Sequence, residues 1–368
     1  MHITGAAPTP PPGRLLGVNP VDHPGGAETT LLRLTRGLAG RGWRVTLTTP
    51  GGGLLADAAL SAGLEWTPLP TGGLGRREGA GALRGYRALR RLAVDADVVY
   101  LNGAVCGRLL PALTGRRVVT VLDVNDMVGR VPGFWRRATL LLADTEAIAR
   151  RLRELDPCLQ PRVVGVPVDL DPPPAAAPWP SPSEPLIGFV GRLEPRKGVL
   201  DLLAALPLIR ARRPVACVLI GDEPYGRAPA YAAAVRERAA ALGVIDAGWQ
   251  ANAPGLMRHL DLLVLPSHAE PFGTVAAEAM AVGTPVVATA VDGLCEVVPD
   301  GVAGRLVPPG DPGAIATAVL EVLDARPRMA AAAAAHAIRW GTPAYVEGID
   351  TLLRETVAER ARARGRWT

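Results

Sequence analysis

The chain has 368 residues, 48% hydrophobic and 20% charged, which excludes a disordered polypeptide and predicts two folded domains rather than one core. No eighteen-residue apolar run is present, so no membrane-spanning helix is predicted. The net charge of +5 rests on forty basic residues of which all but Lys197 are arginine, as in a GC-rich genome, so it argues little for a nucleic-acid partner.

The opening "MHITGAAPTPPPGR" has no basic start followed by an apolar run; it predicts a flexible tail rather than a secretory signal. "RLLGV" (14–18) predicts a first strand and the stretch from Glu28 to Gly40 a first helix. Between them, "DHPGGAETT" (22–30) carries Gly25 and Gly26, which let a ligand approach the backbone near a helix N-terminus suited to phosphate. An ordinary glycine turn reads the same way. A GxGxxG dinucleotide fingerprint is absent, which weighs against a dehydrogenase. Further strands are predicted at 44–49, 98–103, 116–123, 139–145 and 162–166. Several are apolar throughout, as parallel strands covered on both faces are. Three of the four asparagines, Asn19, Asn102 and Asn125, fall at or just beyond these strands, and Asp123 and Asp126 accompany the third. They are candidates to line a cleft, or simply turn residues.

Seven of the fifteen residues in "DPPPAAAPWPSPSEP" (171–185) are proline, which predicts a semi-rigid linker dividing the chain. Strand and helix then alternate again. Strands are predicted at 186–191, 215–222, 260–267 and 285–290, with helices from about Lys197, from Ala228 to Leu242 and from about Gly273. The end, from "MAAAAAAHAIRW" onward, is helical. Both halves therefore predict an α/β class built of two doubly wound parallel sheets. The cysteines Cys106, Cys158, Cys217 and Cys295 lack metal-ligand spacing and suit a reducing cytoplasm, with Cys106 and Cys217 in the core.

Two loops of the second half carry the chemistry. In "FVGRLEPRKG" (189–198), Gly191 and Arg192 end a strand and Lys197, the single lysine, follows at a helix start. A planar guanidinium and an ammonium on one strand-end loop can bracket a diphosphate; solvated bases on a surface loop would give the same pattern. In "SHAEPFGTVAAEAM" (267–280), Pro271 keeps Glu270 out of the helix, while Glu278 falls one turn inside it among Ala276, Ala277 and Ala279. So placed, Glu278 is expected to be close-packed and in need of hydroxyl partners. The two acids then read as hydrogen-bond acceptors flanking an anion site at the helix N-terminus, rather than as an acid/base pair.

Taken together, Gly25-Gly26-Ala27-Glu28, "GRLEPRKG", Gly221-Asp222 and "PSHAEPFGTVAAEAMAVGTPVVAT" resemble a family 4 glycosyltransferase of the GT-B fold, over nearly the whole chain. The resemblance implies a retaining, metal-independent transfer from a nucleotide diphosphate sugar, a UDP-sugar being favoured, with no resident cofactor. Arg192 and Lys197 would hold the diphosphate and stabilise the leaving group. Glu270 would hold the sugar hydroxyls, with Phe272, Gly273 and Thr274 nearby, and Glu278 the ribose. Gly25 and Gly26 would approach from the other domain. The base would sit near "GVIDAGWQ" (243–250). It also implies an acceptor domain over 1–170, a donor domain over 186–340, a C-terminal segment 341–368 crossing back, and closure over the donor.

One departure stands out: many relatives carry a histidine after the strand at "VVTVLD", where this chain places Leu122 and then Asp123. Asp123, Asp126 and Asn102 are accordingly the candidates to handle the acceptor. The acids at strand ends and early helices (Asp22, Glu28, Asp123, Asp126, Glu146) suit a small, soluble, amine-bearing acceptor of the aminoglycoside-precursor type, which would make the enzyme one of antibiotic biosynthesis. The basic segment 76–92 suits instead a lipid-linked acceptor at an anionic membrane, the less favoured reading. Two non-transferase readings fit the same residues less well: a sugar-nucleotide epimerase using His23 and Asp123, and a sugar-nucleotide-binding protein without turnover.

Overall fold

The computed structural model describes residues 12–23, 25–70, 79–223, 226–363 and 365, with the backbone alone for 79–84. The expected N-terminal tail up to residue 11, and residues 76–78 of the basic segment, lie outside the described residues. The chain divides into two units, Met1–Pro167 with Thr342–Thr368, and Val168–Gly341.

The first unit is built on strands β1 (Arg14–Val18), β2 (Arg44–Thr49), β3 (Glu65–Pro68), β4 (Val98–Asn102), β5 (Val119–Val124), β6 (Leu140–Ala143) and β7 (Pro161–Val163). They form a parallel sheet in the order β3-β2-β1-β4-β5-β6-β7. Helices α1 (Gly26–Gly40), α2 (Leu54–Ser61), α3 (Gly79–Leu92) and α4 (Glu146–Leu155) connect them, and the terminal helix Thr342–Arg362 completes the unit. Apolar side chains bury both faces of the central strands. Leu16, Val18, Leu101 and Leu122 enter one cluster and Leu15, Tyr100, Val121 and Leu142 the other, which is why these strands are apolar throughout. The α1 stripe Leu31, Leu34, Leu38 and the terminal-helix stripe Val346, Ile349, Leu353 both recur at helical spacing and bury in the second cluster. Close passage of the two helices is secured at Gly37, where an added Cβ would lie 2.5 Å from Val346. The terminal helix is further tied by Asp350, whose carboxylate accepts from Trp43 Nε1 (2.6 Å), Arg41 Nε (2.7 Å) and Arg354 Nε (2.6 Å). Thr145 caps α4, its Oγ1 accepting from Ile148 N at 3.2 Å.

The second unit carries β8 (Leu186–Val190), β9 (Ala216–Ile220), β10 (Ile245–Asp246), β11 (Leu262–Leu265), β12 (Val286–Thr289) and β13 (Gly304–Val307), all parallel in the order β10-β9-β8-β11-β12-β13. Its helices are α5 (Val199–Arg210), α6 (Pro229–Ala241), α7 (Ala253–Leu256), α8 (Thr274–Ala281), α9 (Leu294–Val297), α10 (Pro312–Asp324) and α11 (Arg326–Ala337). One core gathers Ile187, Phe189, Leu203, Leu206, Val264 and Val319 from β8, β11, α5 and α10.

Two expectations change here. The proline-rich stretch 171–185 is not a free-standing linker but part of the second unit. Arg258 reaches Asp171 (2.6 Å), Asn252 Nδ2 donates to Pro173 O (2.8 Å), His259 Nε2 lies 2.8 Å from Ala175 O, and Trp179 is buried. Prolines leave carbonyls without sheet partners, and side chains supply them. Lys197 does not begin a helix either: it ends a 3-10 turn (Pro195–Lys197), and Gly198, at φ 62°, separates it from α5.

Candidate functional site

In an open parallel sheet, ligands collect where the strand order reverses, at the carboxyl ends of the strands. In the second unit that point lies between β8 and β11. The loop after β8 carries Gly191, Arg192 and Lys197, and the loop after β11 carries Ser267 to Gly273. Glycines let these loops touch. A Cβ on Gly198 would lie 2.0 Å from Pro266 O, and one on Gly221 1.8 Å from Gly191 O. Gly221 N also donates to Gly248 O at 2.7 Å, drawing the ends of β8, β9 and β10 together.

The two loops meet in a charge network. Lys197 Nζ donates to the Glu270 carboxylate, and both side chains are largely buried. Ser267 Oγ donates to the same carboxylate oxygen at 3.4 Å. Arg196 Nη1 donates to Ala269 O at 2.8 Å and lies 3.9 Å from the other Glu270 oxygen. Glu194 accepts from Arg196 (2.9 Å) and pairs with Arg192 (3.1 Å). From the far side, Glu270 N donates to Asp292 Oδ2 (3.0 Å) and Gly293 N to Glu270 O (3.0 Å). Asp292 itself adopts φ 38°, an unusual conformation for a side-chain-bearing residue. The loop therefore presents Glu270 rigidly, with its acid already matched to an ammonium.

The helix α8 starts where expected. Gly273 precedes it at φ 93°, Phe272 is buried and Thr274 half-buried. Glu278 lies on α8 between buried alanines but is itself half-buried, not enclosed as the sequence suggested. The 100° step per residue turns it away from the faces that Ala276, Ala277 and Ala279 pack. His268 is exposed, its Nε2 2.7 Å from Asp201 Oδ2 on α5, while its backbone N donates to Arg196 O at 2.8 Å. Nearby, Asp222 is held below the ordinary carboxylate value by the Glu223 backbone N–H and by Arg236, against the opposing effect of burial.

The first unit reverses order between β1 and β4, and there the three asparagines converge. Asn102 Nδ2 donates to Asn19 Oδ1 at 2.8 Å and to Ala27 O at 3.2 Å, and Asn125 Nδ2 donates to Asn102 Oδ1 at 3.2 Å. Gly25 is half-buried and Gly26 exposed at the start of α1. Asp123 is not open to solvent: it is buried beneath this row, one oxygen accepting from Tyr100 Oη at 2.7 Å. Leu122, the expected place of the family histidine, points into the opposite apolar cluster, so Asp123 is the polar residue at that strand end. Burial raises Asp123 from 3.8 to about 6, partly offset by the Tyr100 bond. Asp144, buried just beyond β6, is raised well above the ordinary carboxylate value by burial and by the charge of Asp123. Oδ1 of each acid is buried without a hydrogen-bond partner. Asp126 is exposed and bonds its own loop at Met127 N (2.8 Å). His23 is exposed beside Asp22, and His336 is half-buried against Trp340. Among the described residues no group of three or more His, Cys, Asp or Glu is placed to hold a metal ion, and no helix is long and apolar enough to cross a membrane.

Sequence reasoning missed Glu194, Arg196, Ser267, Asp201 and Asp292 as parts of the network. The Asp292-Gly293 pair after β12 was the available signal, since such dipeptides mark tight turns and β12 neighbours β11.

Comparison with known proteins agrees with this architecture. Residues 24–172 match the family Glycosyltransferase Family 4, and residues 184–325 match Glycosyl transferases group 1. A D-inositol 3-phosphate glycosyltransferase of Acidothermus cellulolyticus is 34% identical over 279 residues, 68% of this chain and 58% of that protein. One from Segniliparus rotundus is 40% identical over 179 residues, 46% of this chain and 39% of that protein. The chain thus spans less than two thirds of the length of these relatives. Among solved structures, Anabaena HepE in complex with UDP and glucose superposes with a TM-score of 0.79 at 22% identity, covering 93% of this chain and 99% of that one. Sucrose-phosphate synthase of Thermosynechococcus elongatus gives 0.79 at 21% identity, covering 94% and 100%. Two glycosyltransferase family models thus match most of the chain between them, and its two parallel-sheet Rossmann-like units share the GT-B fold of these solved structures.

Proposed function

We propose that the protein transfers a sugar, with retention and without a metal, from a nucleotide diphosphate sugar to a small, soluble, polyhydroxylated acceptor bearing amines. The observation that carries the donor reading is the Lys197–Glu270 contact at the β8/β11 reversal, with Arg192 on the same loop. A diphosphate would draw Arg192 and Lys197 from their acid partners, and the two cations would stabilise the charge that develops on the leaving phosphate. Glu270 would then be free to accept from sugar hydroxyls, with the amides of Phe272, Gly273 and Thr274 alongside, and Glu278 would take the ribose. A UDP-sugar is favoured, in keeping with a fold neighbour crystallised with UDP and glucose.

The acceptor reading rests on the first unit, where exposed Asp126 and half-buried Asn125, suited to amines and hydroxyls, stand at the strand ends beside buried Asn19, Asn102 and Asp123. A second reading, a phosphorylated cyclitol acceptor, is favoured by the names of the relatives. The test is to offer the purified protein UDP-, GDP- and ADP-sugars, each with an aminocyclitol or with an inositol phosphate. Product should form from one nucleotide class with the amine-bearing acceptor. Product only with inositol phosphate would replace the acceptor reading. Neither binding nor hydrolysis of any nucleotide sugar would end the donor reading.

A further inference from the structure

We propose that Trp340 is a positioning residue for the 270–273 loop, coupling it to the place where the chain enters and leaves the second unit. This rests on the donor reading of that loop for its effect on catalysis, but not for the coupling itself.

Trp340 is nearly buried immediately before Gly341, the last residue of the unit, and its carbonyl accepts from the N–H of Val168, the first residue, at 2.7 Å. Val168 and Gly341 form an isolated parallel bridge. The two chain crossings are therefore tied together, with Gly341 packed against Leu170, whose Cδ1 an added Cβ would approach to 2.9 Å. The indole meets the ring of Phe272 edge-on, centroids 6.0 Å apart at 81°. His336 packs against the indole edge-on at 5.1 Å, and the Arg339 guanidinium lies 5.7 Å from its centre. Such T-shaped contacts are directional, so a shift of the indole is transmitted to its partner ring.

On its remaining side the loop has no room to yield. A Cβ on Gly293 would lie 2.2 Å from Pro271 O, one on Gly273 2.5 Å from Leu294, and Glu270 N is held by Asp292. With Asp292–Leu294 as one wall and Trp340 as the other, the position of Phe272 is set by both. Displacing the crossings moves Trp340 and hence Phe272, the neighbour of Glu270. By reciprocity, a change at Phe272 must be felt at the crossings.

Amide hydrogen exchange on the full chain without ligand tests this. In Trp340→Leu, peptides covering 268–275 and 166–171 should both exchange about tenfold faster, and Trp340→Phe, which keeps an aromatic edge, should restore most of the protection. Unchanged exchange at 268–275 in folded Trp340→Leu, or a Trp340→Phe protein indistinguishable from it, overturns the proposal. Should Trp340→Leu not fold, Phe272→Leu gives the reciprocal reading: faster exchange at 166–171 supports the coupling and unchanged exchange refutes it. With the donor that is turned over, Trp340→Leu should raise the donor KM roughly tenfold with a smaller loss of kcat, a split that mere destabilisation would not give. A wild-type protein that turns over no nucleotide sugar defeats the donor reading, while the exchange measurement still decides the coupling.

Discussion

The two sheets reverse strand order in the same way, yet their carboxyl ends are opposite in chemistry. In the second unit the acids at the reversal are matched to cations: Glu270 to Lys197, and Glu194 to Arg192 and Arg196. In the first, Asp123 and Asp144 are buried with tyrosines around them, and neither makes an ion pair among the described residues. Paired charges at a rim are poised to exchange one anion for another. Buried acids without an ion partner cost stability once ionised, so burial pushes their pKa upward. The first arrangement suits an anionic ligand; the second holds a fixed polar floor.

The largest effect should come from breaking the first arrangement. Lys197→Ala should lower kcat/KM for sugar transfer about 10²–10³-fold with the fold retained, as judged by circular dichroism. Activity undiminished by that change would remove Lys197 from the leaving-group role.

A third acid sharpens the contrast within the first unit. Asp350 is also buried, which by itself would raise its pKa, but bonds from Arg354, Arg41 and Trp43 hold it below the usual carboxylate range. Its contribution is therefore present above the unfolded value and lost as pH falls through the depressed one. Asp350→Ala should cost about 3 kcal/mol at neutral pH in urea unfolding, because it removes the carboxylate that faces the buried Arg354 guanidinium.

Asp123 runs the other way. Its carboxyl, raised from 3.8 to about 6, gives stability that is complete below the unfolded value and is lost as pH rises through about 6. Asp123→Asn should accordingly be more stable than the parent by about 1–2 kcal/mol at pH 8 and equal to it near pH 4, measured by thermal unfolding across pH. A parent protein whose stability does not fall between these values would show the acid to be compensated by a partner.

The smallest effect is expected where a charge pair lies on the surface. Arg213 reaches Asp324 at 2.9 Å, but Asp324 is largely exposed. Arg213→Ala should change stability by no more than about 0.5 kcal/mol in the same assay.

The strand–helix rhythm was legible because apolar runs such as 98–102, 119–124 and 262–265 are buried on both faces of a parallel sheet, and only such runs read that way. The short edge strands β10 and β13, and β3 with its half-exposed residues, were not, since an edge strand needs little apolar surface. Lys197 and Glu270 could be singled out because one is the chain's only lysine and the other is kept off a helix by Pro271. Their partners could not. Glu194, Asp201 and Asp292 are ordinary loop and helix acids until β8, β11 and β12 lie side by side.

The order of residues alone was enough for the alternation of elements, the two parallel sheets and the side chains able to meet a phosphate, because burial pattern and side-chain chemistry are local properties. Folding in three dimensions was needed to settle which charges are already paired, that burial raises Asp123, that the proline-rich stretch packs on the second unit, and that Trp340 touches Phe272. Those outcomes depend on contacts between residues dozens of positions apart, and on the dielectric that packing creates around them.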